Sequence, residues 1–301
     1  MTRINPAFLY LIIAAILWGA VVPIMKITLE EIPIFSLIFL RMGFASILLF
    51  PLVYKKLRIE KTDWKNTFLA SFFGTNLNLA FFFFGLEHTQ AINASVILAT
   101  APVFTLAIAH YILKEKFSTK LVLGSLLSLV GTVIIVGIPA FHLSLLSTLG
   151  NISLVASSLA WVGHEIYAKK ILKKYDPLVV SFYTMAIGAV VFSPIATSEL
   201  FTNSLWFTHV SISGFLGLLY GIIFASFISY TLWQKGLAVL PAGEASFVFY
   251  LLPLFGIIFS IILLHEKFNP ILIVGSLIIV AGIILAEFHR KTHPLPKHLQ
   301  G

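Results

Sequence analysis

Residues 85–131 read GLEHTQAINASVILATAPVFTLAIAHYILKEKFSTKLVLGSLLSLVG, and residues 236–282 read GLAVLPAGEASFVFYLLPLFGIIFSIILLHEKFNPILIVGSLIIVAG. The two stretches align without a gap at an offset of 151. Gly85, Ala91, Ser95, Pro102 and Phe104 fall on Gly236, Ala242, Ser246, Pro253 and Phe255. Farther on, Glu115, Lys116, Phe117, Gly124, Ser125 and Gly131 fall on Glu266, Lys267, Phe268, Gly275, Ser276 and Gly282. Hydrophobicity alone does not force shared proline, Glu-Lys-Phe and Gly-Ser-Leu punctuation. The chain is therefore read as a duplication, and a repeat of this kind sets the architecture.

Composition says where the duplicated unit lives. Of the 301 residues, 59% are hydrophobic and 11% charged, whereas a soluble domain carries roughly 25% charged residues. Apolar runs of about 20 residues cross a bilayer core, and the hydropathy pattern predicts ten of them. They cover about 6–27, 33–54, 66–86, 91–113, 119–138, 149–169, 177–197, 211–233, 241–264 and 270–287. The first run is too long for a signal peptide and lacks a clear small-residue cleavage site. The net charge of +8 does not point to nucleic acid, because the basic residues sit in short loops between spans. With no cysteine in the chain, disulfide and thiolate chemistry are excluded. No cofactor motif and no metal-ligand pattern is read.

The basic loops also orient the chain. With the N-terminus in the cytoplasm, all basic residues but Lys26, Lys267 and Arg41 lie on the cytoplasmic side, as the positive-inside rule requires. Ten spans in two halves give five each. Five is odd, so the second half must lie upside down relative to the first. The predicted fold class is an all-α integral membrane protein of ten transmembrane helices in two inverted five-helix repeats. Their bounds are 8–138 and 149–287, with a cytoplasmic tail at 288–301. Inverted repeats of this kind characterise transporters whose site lies near the midplane.

The LWG of span 1 (Leu17, Trp18, Gly19), Pro102 followed by Glu115-Lys116-Phe117 and Gly124, and the second set at Pro253, Glu266-Lys267-Phe268 and Gly275 resemble the EamA family. That family belongs to the drug/metabolite transporter superfamily. The resemblance covers nearly the whole chain. It implies ten helices, cytoplasmic termini in the plasma (inner) membrane, a central cavity and, often, efflux of amino acids or other small metabolites. The second half departs from the span 1 signature: Trp161 matches Trp18, but Val162 stands where Gly19 would recur.

Polar groups inside spans are costly unless they serve a cavity or pair with a partner. Candidates for a substrate cavity are Trp18, Asn76, Asn78, Asn93, Thr100, Trp161, His164, Tyr220, Tyr230, Trp233 and Tyr250. Asn76 and Asn78 are equally readable as interhelical glue, and Trp18 and Trp161 as packing anchors. Candidates for proton coupling are Glu165, Glu244 and His110, although Glu244 also fits a helix-start role near Pro241. Glu115, Lys116, Glu266 and Lys267 read as structural groups of tight helix–helix turns. Pro102 and Pro253 read as kinks, either static or hinging. Arg41 reads either as a stem that carries its charge to the outer interface or a structural pair, or as an anion site.

These features predict a secondary transporter of small organic solutes working by alternating access, most readily an exporter of amino acids or related metabolites. Its partners are the lipid bilayer, a small-molecule solute and optionally a proton, in a monomer or homodimer. Sugar phosphates, nucleotide sugars and lipophilic cations are the alternative cargoes. A membrane-embedded enzyme is the rival class, but no HExxH, GxSxG or P-loop pattern occurs.

Overall fold

The computed structural model describes residues 6–89, 94, 97–136, 145–202, 206–264 and 271–287. Asn93, Ser95, Glu266, Lys267 and the tail 288–301 lie outside the described residues. The described residues are mostly helical, with no strand among them. In lipid this follows from the backbone, whose polar groups must be satisfied within each segment. In chain order the helical rods are α1 (Pro6–Leu29), α2 (Ile34–Lys56), α3 (Trp64–His88), α4 (Ala101–Ile112), α5 (Thr119–Val136), α6 (Leu145–Ile171), α7 (Pro177–Thr202), α8 (Ile212–Val239), α9 (Ala242–Leu263) and α10 (Ile271–Glu287). All but α4, α5 and α10 are long and apolar enough to cross a membrane.

The rods pack in a definite set of pairs. The second half of α3 lies on α6, while α1 lies on the second half of α8. Rod α4 also contacts α6, and α9 contacts α1. The pairs α2–α7 and α5–α10 are extensive. The last pair explains the small-residue faces. A Cβ on Gly124 would sit 2.5 Å from the Gly282 carbonyl oxygen, and one on Gly131 would sit 2.7 Å from that of Gly275. Between them, Ser128 Oγ donates to the Ile279 carbonyl at 3.3 Å. Close backbone approach is what drives helix association where lipid is as apolar as leucine. The opposite faces of the same two rods, with Leu123, Val130, Leu277 and Val280, are exposed. Together they form an apolar surface that suits lipid rather than water.

Several rods are irregular, and the irregularities sit in matching places. Rod α3 has a π-helical segment at Phe72–Leu77, and α8 has one at Gly221–Ile228. These segments run up to Asn78 and Ser229, which the offset of 151 superposes. Widening a helix leaves carbonyls turned away from the regular ladder. Side chains of other rods use them: Tyr230 donates to Gly74, Trp18 to Ala225 and Arg41 to Gly221.

The predicted fourth span is not one continuous rod. A turn at Ala99–Thr100 precedes α4, with the Thr100 amide donating to the Ile97 carbonyl at 3.0 Å. Pro102 then stands in the first turn of α4, where its missing N–H is no loss. Pro253 is likewise in the first turn of the α-helical part of α9, after a 3-10 segment at Phe247–Tyr250. Both prolines therefore start helical pieces instead of bending unbroken ones.

Candidate functional site

A cavity lies where α1, α2, α3, α4, α6, α8 and α9 meet. It has room for water centres over about 120 Å³. One water needs roughly 10–15 Å³ by that measure, so the space suits a solute of amino-acid size. Of the residues singled out in the sequence, Trp18, Arg41, Asn78, Trp161 and Tyr230 line it. The remaining wall is largely apolar, with Leu79, Phe82, Leu98 and Leu252. An apolar wall with a few placed polar groups is the usual composition of a small-molecule site.

One end of the cavity is closed by a layer of aromatic rings. Trp18 and Trp161, the residues that match between the halves, meet edge to face at 5.3 Å. Tyr230 contacts both, at 5.5 and 5.8 Å. Phe249 stacks on Trp18 at 5.9 Å and backs onto Trp233 at 4.7 Å. The indole N–H of Trp18 donates to the Ala225 carbonyl at 2.9 Å, which fixes its ring against the π segment of α8. Asn78 both faces the cavity and ties rods together. Its Nδ2 donates to the carbonyl and hydroxyl of Ser157, both at 3.0 Å, and Ser157 Oγ returns a bond to the Asn78 carbonyl. The cavity and glue readings of this residue are thus not exclusive.

Other candidates stand elsewhere. Asn76 points to α7, where its Nδ2 lies 3.4 Å from the Gly188 carbonyl. His164 is one layer behind Trp161 and has both ring nitrogens engaged. Nδ1 donates to the Ala70 carbonyl at 2.8 Å, and Nε2 faces the Gln234 amide nitrogen at 2.8 Å. Trp233 is fully buried behind the aromatic layer. Tyr220 donates to the Leu17 carbonyl, and Thr100 to that of Ile97. Tyr250 exchanges a hydrogen bond with Ser125 at 2.8 Å, in a separate cluster toward α5 and α10.

The three acid–base candidates divide similarly. Glu165 is fully buried beyond the aromatic layer. It accepts a hydrogen bond from Thr105 on Oε2 at 2.6 Å and is also approached by the Trp161 side chain. Glu244 lies in the first turn of α9. His110 Nδ1 bonds the Glu115 carbonyl at 2.9 Å on an exposed surface. Glu115 itself reaches across to the other half. Its carboxylate accepts from the amides of Ala242 and Gly243 at 2.9 and 3.3 Å, capping the start of α9. Lys116 is exposed beside it.

Two features are decided only by the packing. The first is the fate of Arg41. Its side chain does not reach an interface: it is only 2% exposed and lines the cavity. The snorkelling reading fails because the π segment of α8 crosses beside it. A Cβ on Gly221 would come within 2.8 Å of Arg41 Cδ. The second is a matched pair of lysines. Lys26 Nζ donates to the Leu86 and Thr89 carbonyls at the end of α3. Lys169 Nζ donates to those of Leu237 and Leu240 at the end of α8. Both satisfy carbonyls that a helix C-terminus leaves open. The shift that maps Trp18 onto Trp161 maps Lys26 onto Lys169, so the correspondence is legible in the sequence and the shared capping role is what the packing adds.

Comparison with known proteins gives a consistent picture. A transporter of unassigned role from Archaeoglobus fulgidus is 28% identical over 281 residues, covering 92% of this chain and 96% of its own. The uncharacterized transporter YoaV of Bacillus subtilis is 23% identical over 92% of this chain and 95% of its own. A probable terminal-alkyne amino-acid exporter of Streptantibioticus cattleyicolor is 24% identical over 96% of this chain and 95% of its own. A crystal structure superposes with a TM-score of 0.76 at 18% identity, over 98% of this chain and 99% of that one, which shows a shared fold. The profile of the EamA-like transporter family matches twice, at residues 5–137 and 148–288. With apolar rods of membrane-crossing length and both halves matched, the chain is an integral membrane protein and belongs to the EamA-like transporter family, within the drug/metabolite transporter superfamily.

Proposed function

We propose that this protein is a secondary transporter that exports amino acids or related small metabolites by alternating access. The observation that carries the reading is the cavity lined by the two matched tryptophans, large enough for an amino acid and walled mainly by apolar side chains. The name of the Streptantibioticus relative, a probable amino-acid exporter, points the same way. A sugar phosphate would favour several cavity cations, and among the described residues Arg41 alone supplies one.

The architecture behind this function is ten spans in two inverted repeats, 8–138 and 149–287. The packing supports it: exchanging each rod for the one five places along turns α3–α6 into α8–α1 and α4–α6 into α9–α1, and leaves α2–α7 and α5–α10 unchanged. The lysine caps and π segments obey the same exchange. With cytoplasmic termini, the cavity faces outward. The aromatic layer, Glu165 and the Glu115 cap then close the cytoplasmic side. Glu165 is the best-placed group for proton coupling, because it is buried, interacts with Trp161 of the aromatic layer and lies behind the layer that must open.

The test is uptake of labelled amino acids into proteoliposomes, with and without an imposed pH gradient. Accumulation that follows the gradient supports coupled amino-acid transport. Transport indifferent to the gradient demotes Glu165 to a structural role. No uptake of any amino acid by folded protein overturns the cargo class.

A further inference from the structure

Arg41 is a buried cation whose protein partners are all uncharged. Nε donates to the Gly221 carbonyl at 3.3 Å and Nη2 to Ser226 Oγ at 3.3 Å, and Nη1 lies 3.8 Å from the Met25 sulfur. Its Cζ sits 5.4 Å from the centre of the Phe83 ring. Among the described residues no carboxylate lies within 4.0 Å of it. A guanidinium has five N–H donors, so these three contacts leave two donors without a protein acceptor. Taking a charge out of water is expensive unless a counter-charge or a full set of hydrogen bonds compensates. Here neither is complete, and the residue lines the cavity.

We propose that Arg41 is the binding site for a carboxylate group of the transported solute. The proposal rests on the cargo reading above and narrows it to solutes that carry a carboxylate. Two free N–H donors on a planar cation match the two oxygens of a carboxylate, which guanidinium binds in a fork. The single positive charge balances a carboxylate, whereas a phosphate dianion would be left with excess charge against apolar walls. Gly221 positions the group: it leaves room for the Arg41 stem, and its carbonyl holds Nε. The aromatic layer of Trp18, Trp161 and Tyr230, which lines the same cavity, then receives the rest of the solute. A purely structural tie between α2 and α8 would need the same contacts to Gly221 and Ser226, but would be indifferent to the charge of a bound molecule.

The experiment is calorimetric binding to the purified full-length protein in detergent. The probes are L-phenylalanine, L-phenylalaninamide, 3-phenylpropionate, phenethylamine and phenylphosphonate. The expected result is that the two carboxylates bind about 10- to 100-fold more tightly than the amide and the amine, the range for a hydrogen-bonded charge. Arg41→Gln should erase that preference, Arg41→Lys should retain part of it, and Gly221→Ala should weaken it without removing the charge. The Gly221→Ala variant and the probe series on the unaltered protein keep the test decisive if Arg41→Gln does not fold. Equal binding of amide and acid, a preference surviving Arg41→Gln, tighter binding of the phosphonate, or no binding of any probe overturns the proposal. If amino acids are transported while amide and acid bind equally, Arg41 fails and the cargo reading stands. If 3-phenylpropionate binds at Arg41 but no amino acid is transported, the cargo reading fails and the carboxylate site stands.

Discussion

Glu115→Ala removes a contact that joins the halves at one end of the cavity. The Glu115 carboxylate accepts from the first amides of α9, Ala242 N at 2.9 Å and Gly243 N at 3.3 Å. Losing a helix N-cap costs roughly 0.5–2 kcal/mol. Losing a negative charge at that terminus costs roughly 0.3–1 kcal/mol more where the site is partly exposed. Glu115 is half-buried, so the combined loss is about 1–3 kcal/mol, or about 5- to 150-fold in a two-state equilibrium. The cap exists only while the turn after α4 touches the start of α9, so the whole loss falls on the conformation with that end closed. Ser246 is fully buried just behind the cap, and the chain has no cysteine of its own. A Ser246→Cys reporter can therefore be labelled with a maleimide in an otherwise silent background. Glu115→Ala should raise its labelling rate at least fivefold, and Glu115→Gln, which keeps one acceptor oxygen, by less. An unchanged labelling rate in folded Glu115→Ala protein would refute the claim that this cap holds the end shut.

Trp161→Ala and Asn78→Ala should each lower transport in proteoliposomes while leaving the protein folded in the membrane; normal transport by both rejects the central cavity as the route. Glu165→Gln should abolish any response of transport to a pH gradient, read as the ratio of uptake with and without it. Gly131→Leu must push its side chain into the Gly275 backbone, 2.7 Å from the nearest Cβ position. Overpacking of this kind costs about 1–3 kcal/mol, seen as a lower melting temperature; an unchanged melting temperature would show that α5 and α10 do not depend on close approach. In the loop after α2, the hydrogen bond from Tyr175 and then that from Lys174 hold the Asp63 carboxyl below its ordinary value of 3.8. A depressed carboxyl contributes stability that is complete above the ordinary value and is lost as pH falls through the lower folded one. Tyr175→Phe should therefore flatten the loss of stability on acidification, measured by thermal unfolding across the acid range, and a steeper loss would contradict the sign.

The membrane class, the duplication and the family were legible from residues alone. Apolar run length answers to bilayer thickness, and the Pro, Glu-Lys-Phe and Gly-Ser-Leu punctuation is a one-dimensional signal. Trp18, Asn78, Trp161 and Tyr230 were also readable as cavity residues, because polar and amphipathic groups inside spans are few. Which side of each rod faces inward was not readable. In lipid the outer face of a rod is as apolar as its packed face, as Leu123 and Leu277 show beside Gly124 and Gly275, so no stripe distinguishes the two. Hence Asn76, Trp233 and Tyr250 look like cavity residues in one dimension, yet pack into other contacts. The same limit left the readings of Arg41 open. Its burial depends on the widened turn of α8 at Gly221, a feature that arises when rods pack and spare carbonyls find donors on their neighbours. Sequence determined that this chain crosses a membrane in two related halves. Tertiary packing alone decided which of its polar groups meet, because only contact between helices from different halves sets what each one faces.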